Sequence, residues 1–104
     1  MNDVPILAEL TGKLGMRLRL TQTTLVAEKV YLETPGKESL ARGTYSLPVR
    51  TVVSHGVGRG IPFLGVPYQV SFQSGQTISI GMFGKQKVAE AQAFDAVLSR
   101  ILEQ

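Results

Sequence analysis

The chain contains no cysteine, and its apolar runs are far shorter than a membrane-spanning segment. Without cysteine among its 104 residues it has neither disulfides nor thiolate metal ligands, a composition that fits a reducing compartment. No apolar run approaches the roughly 20 residues that span a bilayer. Residues Met1–Pro5 also lack the basic and apolar regions of a signal peptide. We therefore expect a cytoplasmic protein.

Residues suited to catalysis are also scarce. His55 is the single histidine, and no acidic cluster lies near it in the sequence, so a metal site there lacks ligands. Ser54 is its neighbour on a predicted strand, where adjacent side chains point to opposite faces and cannot pair as nucleophile and base. We expect no enzymatic activity and no cofactor. A cleft that gathers acidic side chains around His55 would contradict this expectation.

Signals for nucleic-acid or nucleotide binding are weak. The net charge is +3, and the basic residues are scattered, so the charge serves solubility as readily as weak attraction to phosphates or anionic lipid. No helix-turn-helix, basic helix or mixed aromatic and basic strand is evident, and we expect no nucleic-acid partner. Gly56, Gly58 and Gly60 suggest a phosphate loop, but the residues after them open no helix.

The end of the chain carries the clearest structural pattern. Apolar residues recur at steps of three and four from Lys85 to Leu102, which predicts one amphipathic helix. They are Val88, Ala91, Phe94, Leu98, Ile101 and Leu102. Such a helix must bury its apolar face against another element. We expect Phe94 and Leu98 at the centre of that contact, within one domain that spans residues 1–104.

The residues before the helix read as strands and turns. Leu14 to Leu20 alternate in the manner of a half-buried strand, and Leu25 to Leu32 form a second one, with Val26, Val30 and Leu32 expected on one face. Tyr68–Phe72 and Thr77–Met82 predict a hairpin. Weaker strands are predicted at Ser39–Leu47 and Val49–Val57, with a bulge or bend expected at Gly43. Residues 2–10 suit either a short helix or an opening strand, and residues 56–67 form a loop.

This arrangement resembles the bacterial pleckstrin-homology-like domains. The similarity is carried by Leu18–Val26, Tyr45–Val53, Phe72–Ile78 and the helix Val88–Leu102, and it covers roughly residues 14 to 104. It implies a mainly β, α+β fold: a partly open antiparallel barrel of about six or seven strands, capped by one C-terminal α-helix. Domains of this kind serve as scaffolds that bind phosphoinositides, peptides or proteins, and the bacterial ones are often oligomeric.

Two surfaces follow as candidate binding sites. The 56–67 loop carries Arg59, Ile61, Phe63 and Leu64, which form an apolar contact for a partner or membrane if the loop projects; the alternative is that the loop tucks them into the core. We expect a non-catalytic protein-binding or self-assembling module, a homo-oligomer formed through this loop or through strand edges.

The second surface is basic. Lys13, Arg17 and Arg19 resemble the basic set of lipid-binding pleckstrin domains, and Arg17 and Arg19 share a strand face. The alternative function is therefore an adaptor at an anionic membrane surface, and the alternative location is peripheral to the membrane. Equally, the three side chains suit an ordinary solvated strand face.

Overall fold

In the described part of the chain, seven antiparallel strands curl into a half-barrel, and one helix packs against it. The computed structural model describes residues 5–36, 41–60 and 65–104. The strands are β1 (Ala8–Thr11), β2 (Arg17–Leu20), β3 (Thr24–Glu33), β4 (Ala41–Pro48), β5 (Val52–Val57), β6 (Val66–Phe72) and β7 (Thr77–Met82), and the helix is α1 (Lys85–Leu102). Single 3-10 turns at Lys13–Gly15 and Val49–Thr51 link β1 to β2 and β4 to β5. The predicted fold class is confirmed.

Strand β3 is the branch point of the sheet. The main path runs β1-β2-β3-β7-β6-β5, and β4 lies on the other side of β3. Leu32 shows the branching directly, because it pairs with Ala41 of β4 and with Ile78 of β7. In the described part of the chain, β1, β4 and β5 are therefore the three strands at the margins of the sheet.

Helix α1 closes the opening between the two ends of the path. It packs against both β1 and β5. Ala91, Phe94 and Leu98 are buried on the contact face, which confirms the expected central positions of Phe94 and Leu98. The helix begins after Gly84, whose φ of 91° is readily adopted only by glycine. The apolar period of the sequence thus fixes which face of α1 meets the sheet.

The core lies between the inner face of the sheet and α1. Its fully buried strand residues come from five strands: Leu10, Leu18, Leu20, Leu25, Ala27, Val30, Tyr68, Val70, Phe72, Ile78, Ile80 and Met82. Alternation places them on one face because successive side chains of a strand point to opposite sides. Among the described residues of β4 and β5, none is fully buried. These two marginal strands are therefore only half covered.

One predicted strand face is wrong. In β3 the buried residues are Leu25, Ala27 and Val30, whereas the alternation of the sequence placed Val26 with Val30. The register with β4 shifts between Ala27 and Val30, and Lys29 has a φ of 56°. This bulge adds one residue to β3 and reverses the phase of everything beyond it.

Other sequence predictions are confirmed or refined. The β2–β3 and β6–β7 hairpins form as predicted. Within the ambiguous residues 2–10, the described part contributes a strand, β1. The stretch Val49–Val57 divides into a 3-10 turn and β5, and the irregularity expected at Gly43 falls on the facing strand β3. Among the described residues, no helix has both the length and the apolar character needed to cross a membrane.

Candidate binding surfaces

A partly buried group of polar side chains joins α1 to the sheet. Asp95 of α1 accepts a hydrogen bond from the Tyr68 hydroxyl of β6 at 2.9 Å, and its Oδ1 lies 2.5 Å from Nδ1 of His55 on β5. Phe94 adds an edge-to-face contact with the Tyr68 ring at 5.6 Å between centroids. We call His55, Tyr68 and Asp95 the polar junction. It ties one helix to two strands.

The electrostatics of the polar junction favour a neutral Tyr68. Burial, the negative charge of Asp95 and the hydrogen bond to that carboxylate each raise the pKa of the Tyr68 hydroxyl far above its ordinary value of 10.0. The hydroxyl therefore stays protonated and acts as a donor to Asp95. The junction is a structural contact in which both donors converge on one carboxylate oxygen.

The junction brings His55 to an acidic residue that the sequence placed 40 positions away. The sequence shows no acidic cluster near His55, and the fold brings one carboxylate, that of Asp95, to it. Ser54 points away from α1 and pairs with Ser71, as alternation predicts. Within the described residues, no hydroxyl nucleophile is bonded to His55, and no group of three or more potential metal ligands occurs. Absence of enzymatic activity stays a prediction.

Two of the three marginal strands carry features that hinder pairing with another chain. Strand β1 has only four residues, its Glu9 lies 3.2 Å from Arg19, and Lys87 of α1 donates a hydrogen bond to the Thr11 carbonyl. Strand β5 is bulged at Val53, and α1 packs against it. Short length, charge, bulges and a covering helix are the usual means of protecting a sheet edge.

Strand β4 lacks most of these features. It is eight residues long, it pairs with β3 along its whole length, and no described strand pairs with its other side. Thr44 and Ser46 are exposed on the outer face, whereas Tyr45 and Leu47 are half-buried against the core. Pro48 protects only the final position, since it has no backbone N–H to donate. We call the unpaired side of β4 the open edge.

The single charge of β4 is drawn away from the open edge. Arg42 donates from Nε to the Lys29 carbonyl at 3.0 Å and from Nη2 to the Leu14 carbonyl, and its guanidinium lies 5.9 Å from the Tyr31 ring centroid. All three partners lie on β3 or beyond it. A side chain that commonly repels a partner strand is thus used to hold the β3 bulge and the first 3-10 turn.

That turn forms a second exposed surface, which we call the basic tip. Leu14 has a φ of 59° and is 67% exposed, the most exposed large apolar side chain of the described chain. Lys13 lies 5.1 Å from the ring centroid of half-exposed Phe83, and the Lys29 side chain passes beside Gly15. With Arg42, these residues surround an apolar point with three cations. None of the three forms an ion pair with a carboxylate in the described ranges.

The structure separates the three predicted anion-binding residues. Lys13 belongs to the basic tip, whereas Arg17 and Arg19 lie on β2. Arg19 is 3.2 Å from Glu9 and 3.3 Å from Glu28, although its Nε makes no hydrogen bond of good geometry. These carboxylates offset the charge of Arg19, so it contributes little attraction to an anion. Lipid binding by this set stays a prediction.

The predicted apolar loop is only partly described. Arg59 is exposed, and Ile61, Phe63 and Leu64 lie outside the described residues. Both ends of the predicted loop segment belong to strands, since β5 extends to Val57 and β6 begins at Val66. A role of these four residues in partner or membrane contact is untested.

A groove of about 550 Å³ lies where α1 ends, beside the β4–β5 connection. Val52, Ile101 and Leu102 give it apolar walls, and a 3.2 Å hydrogen bond between Gln22 and Gln104 joins its two sides. Arg50 supplies the one charge among its lining residues. The C-terminal carbonyl groups of α1 oppose binding of an anion beside that arginine, so the groove selects no ligand class.

Comparisons with protein-family models, curated proteins and solved structures found no match to this chain. The topology is nevertheless pleckstrin-homology-like. Seven antiparallel strands form a curled half-barrel, and a C-terminal helix packs against it. A fold of this kind hosts many functions, so the function must be argued from the surfaces themselves.

Sequence reasoning missed most of these surfaces for identifiable reasons. The polar junction joins residues 40 positions apart, and a single sequence contains no signal for that pairing. The basic tip was missed because Leu14 fits the alternation of β2, whereas it lies in a turn ahead of that strand. Gly15 directly after Lys13 and Leu14 was a usable turn signal.

Proposed function

We propose that this chain is a bacterial pleckstrin-homology-like domain that acts as a non-catalytic protein-binding or self-assembly module. The observation that carries the proposal is the open edge of β4. An unpaired strand offers a row of backbone donors and acceptors to which an extended segment can add. The protein partner thus extends the sheet beyond β4 and covers the half-exposed Tyr45 and Leu47.

The proposed contact between β4 and its partner depends on shape and hydrogen bonding rather than on charge. The described part of β4 between Gly43 and Pro48 contains no charged side chain. Backbone hydrogen bonds therefore supply the attraction, and the apolar inner side of Tyr45 and Leu47 favours a partner strand with apolar residues at alternate positions.

Selection of displayed random peptides tests the proposal, with Ser46→Lys as the blocked variant and Gln69→Lys as its matched control. Both positions are exposed, but Gln69 lies on β6, which is paired on both sides. We expect the wild type and Gln69→Lys to enrich extended peptides and Ser46→Lys to lose them. Equal enrichment by all three chains, or none by a wild type kept dilute enough to be a monomer, would refute peptide binding at the open edge. Circular dichroism verifies that each variant folds.

A second candidate function is docking at an anionic membrane surface through the basic tip. The specific observation is exposed Leu14 in a left-handed turn, surrounded by Lys13, Lys29 and Arg42. An apolar side chain can enter the acyl boundary while basic residues meet acidic headgroups, at about 1 kcal/mol per cation near the surface.

Vesicle sedimentation separates this candidate from the first. We expect the wild type to bind vesicles rich in phosphatidylserine at low salt, and Leu14→Asn to lose most of that binding. Asparagine tolerates the left-handed conformation of position 14, so the fold is retained. Arg100→Asn, exposed on α1 and outside both candidate surfaces, is the control and should bind normally. Binding to neutral vesicles alone, or none at low salt where screening is weakest, would exclude this role.

A further inference from the structure

We propose that β4 pairs with the β4 strand of a second copy of this chain, antiparallel and across a two-fold axis near Tyr45. The inference rests on the proposed function, because it names the segment that the open edge receives. Two half-barrels then share one continuous sheet, with their inner faces on the same side. Each copy contributes the same surface, as a two-fold interface requires.

Charge favours a second copy over a charged partner. Gly43 to Pro48 contain no ionisable group except the phenol of Tyr45, so the edge offers nothing to complement an acidic or basic strand. Arg42 is turned back toward Lys29 and Leu14. In a pair centred on Tyr45, Arg42 lies opposite Pro48 of the other copy. The two Arg42 backbones are then six positions apart, roughly 20 Å at strand spacing, and repel little.

The side chains of the edge are complementary to themselves in this register. Thr44 faces Ser46 of the second copy on the outer side, twice, and opposed hydroxyl side chains stabilise a strand pair. Leu47 faces Gly43 on the inner side, where the Tyr45 ring of the same copy lies beside the glycine and offers Leu47 an apolar contact. Tyr45 lies opposite Tyr45 at the axis, which brings two aromatic side chains close together. Half-buried Leu47 and Tyr45 become covered.

The size of the contact predicts a weak dimer. Seven residues of each copy, Arg42 to Pro48, pair in this register, and they bury less surface than the roughly 1,200–2,000 Å² of a stable interface. The dimer therefore dissociates on dilution, and light scattering should show a mass that rises from 11.3 kDa toward twice that value with concentration.

The absence of native cysteine permits a direct test of the register. Two variants, Thr44→Cys and Ser46→Cys, are purified separately, mixed at high concentration and oxidised. Across the proposed axis the two introduced side chains lie directly opposite one another, with Cβ atoms about 4.5–5.5 Å apart, within reach of a disulfide. Like positions are displaced by two residues, about 7–8 Å. We expect the mixed disulfide to exceed each same-residue disulfide several-fold.

Matched controls establish that the cross-link reports the edge. Gln69→Cys, exposed on a fully paired strand, measures random collision and should cross-link several-fold less than the mixture. The Ser46→Lys substitution, introduced into the otherwise wild-type chain, should keep the mass measured by light scattering at that of one chain. Predominance of a same-residue disulfide, or cross-linking no greater than for Gln69→Cys, would overturn the proposed register and axis.

Failure of this inference is distinguishable from failure of the proposed function. A wild-type chain that stays at 11.3 kDa but binds displayed peptides in a Ser46-dependent manner retains a functional edge and excludes self-pairing. A chain that neither dimerises nor binds such peptides refutes both.

Discussion

Strands β4 and β5 follow one another in the chain, yet helix α1 covers them to different extents. Both are marginal strands without a fully buried residue in their described parts. Helix α1 packs against β5, and Asp95 binds His55 there. In contrast, β4 receives no helix contact of comparable extent and leaves Tyr45 and Leu47 half-exposed.

The difference shows that one helix can cover only part of an open sheet. Helix α1 contacts the two ends of the main path, β1 and β5, because its apolar stripe is one face wide. The branch at β3 creates a third margin, β4, against which α1 packs less extensively than against β1 and β5. We infer that the flank beneath α1 provides stability and that the β4 flank is available for binding.

The largest loss of stability is expected from a substitution in the part of the core that α1 covers. Leu98→Ala removes a fully buried side chain beneath α1 and should lower the free energy of unfolding by about 2–5 kcal/mol. Urea denaturation followed by circular dichroism measures the change. Gln92→Ala, exposed on the same helix, should change it by less than about 0.5 kcal/mol. Equal effects of the two substitutions would show that α1 does not seal the core.

A smaller loss is expected from the polar junction. Asp95→Ala leaves His55 and Tyr68 without their shared acceptor and should cost about 2–3 kcal/mol. Asp95→Asn keeps a carbonyl acceptor and should cost less. If chemical denaturation shows both variants to be as stable as the wild type, the junction does not hold the helix to β5 and β6.

Tyr68→Phe tests one hydrogen bond and a pH dependence, at a cost of about 1.5 kcal/mol near neutral pH. In the folded wild type the pKa of Tyr68 is raised above the unfolded value of 10.0, so its stabilisation is complete below pH 10. As pH rises further, the unfolded chain loses the proton first, and the free energy of unfolding falls. Denaturation curves across this range should decline less for Tyr68→Phe. Parallel declines would mean that Tyr68 ionises as easily when folded.

The smallest change in stability is expected from a substitution at the open edge. Leu47→Ala should cost only about 1 kcal/mol in dilute protein, because the side chain is half-buried. At high concentration the cost should grow, since pairing of two β4 strands covers Leu47. Thermal unfolding at two protein concentrations, with Leu98→Ala as reference, measures this. A concentration-independent difference would exclude Leu47 from any interface between copies.

Regular periodicity made much of the fold predictable. Lys85–Leu102 is helical with Phe94 and Leu98 buried, and the β6–β7 hairpin forms as predicted, because local apolar spacing specifies each element. The face of β3 was mispredicted because one residue in a left-handed conformation reversed the alternation beyond it. A lysine at that position gives no sequence signal for a bulge.

The candidate surfaces were less predictable than the fold. Lys13 was identified from the sequence, but Lys29 and Arg42 reach the same turn only because β3 bulges and β4 lies beside it. The open edge of β4 depends on the order of the strands in the sheet. The alternation of apolar and polar residues along a strand does not encode that order.

Neighbouring residues are enough to predict the strand periods, the apolar stripe of α1 and the near-neutral composition of β4. Three features depend on the folded arrangement: Asp95 meets His55 and Tyr68, Arg42 turns away from its own edge, and α1 packs more extensively against β1 and β5 than against β4. The physical reason is that contacts between distant segments depend on strand order, on the bulge in β3 and on the reach of a single helix.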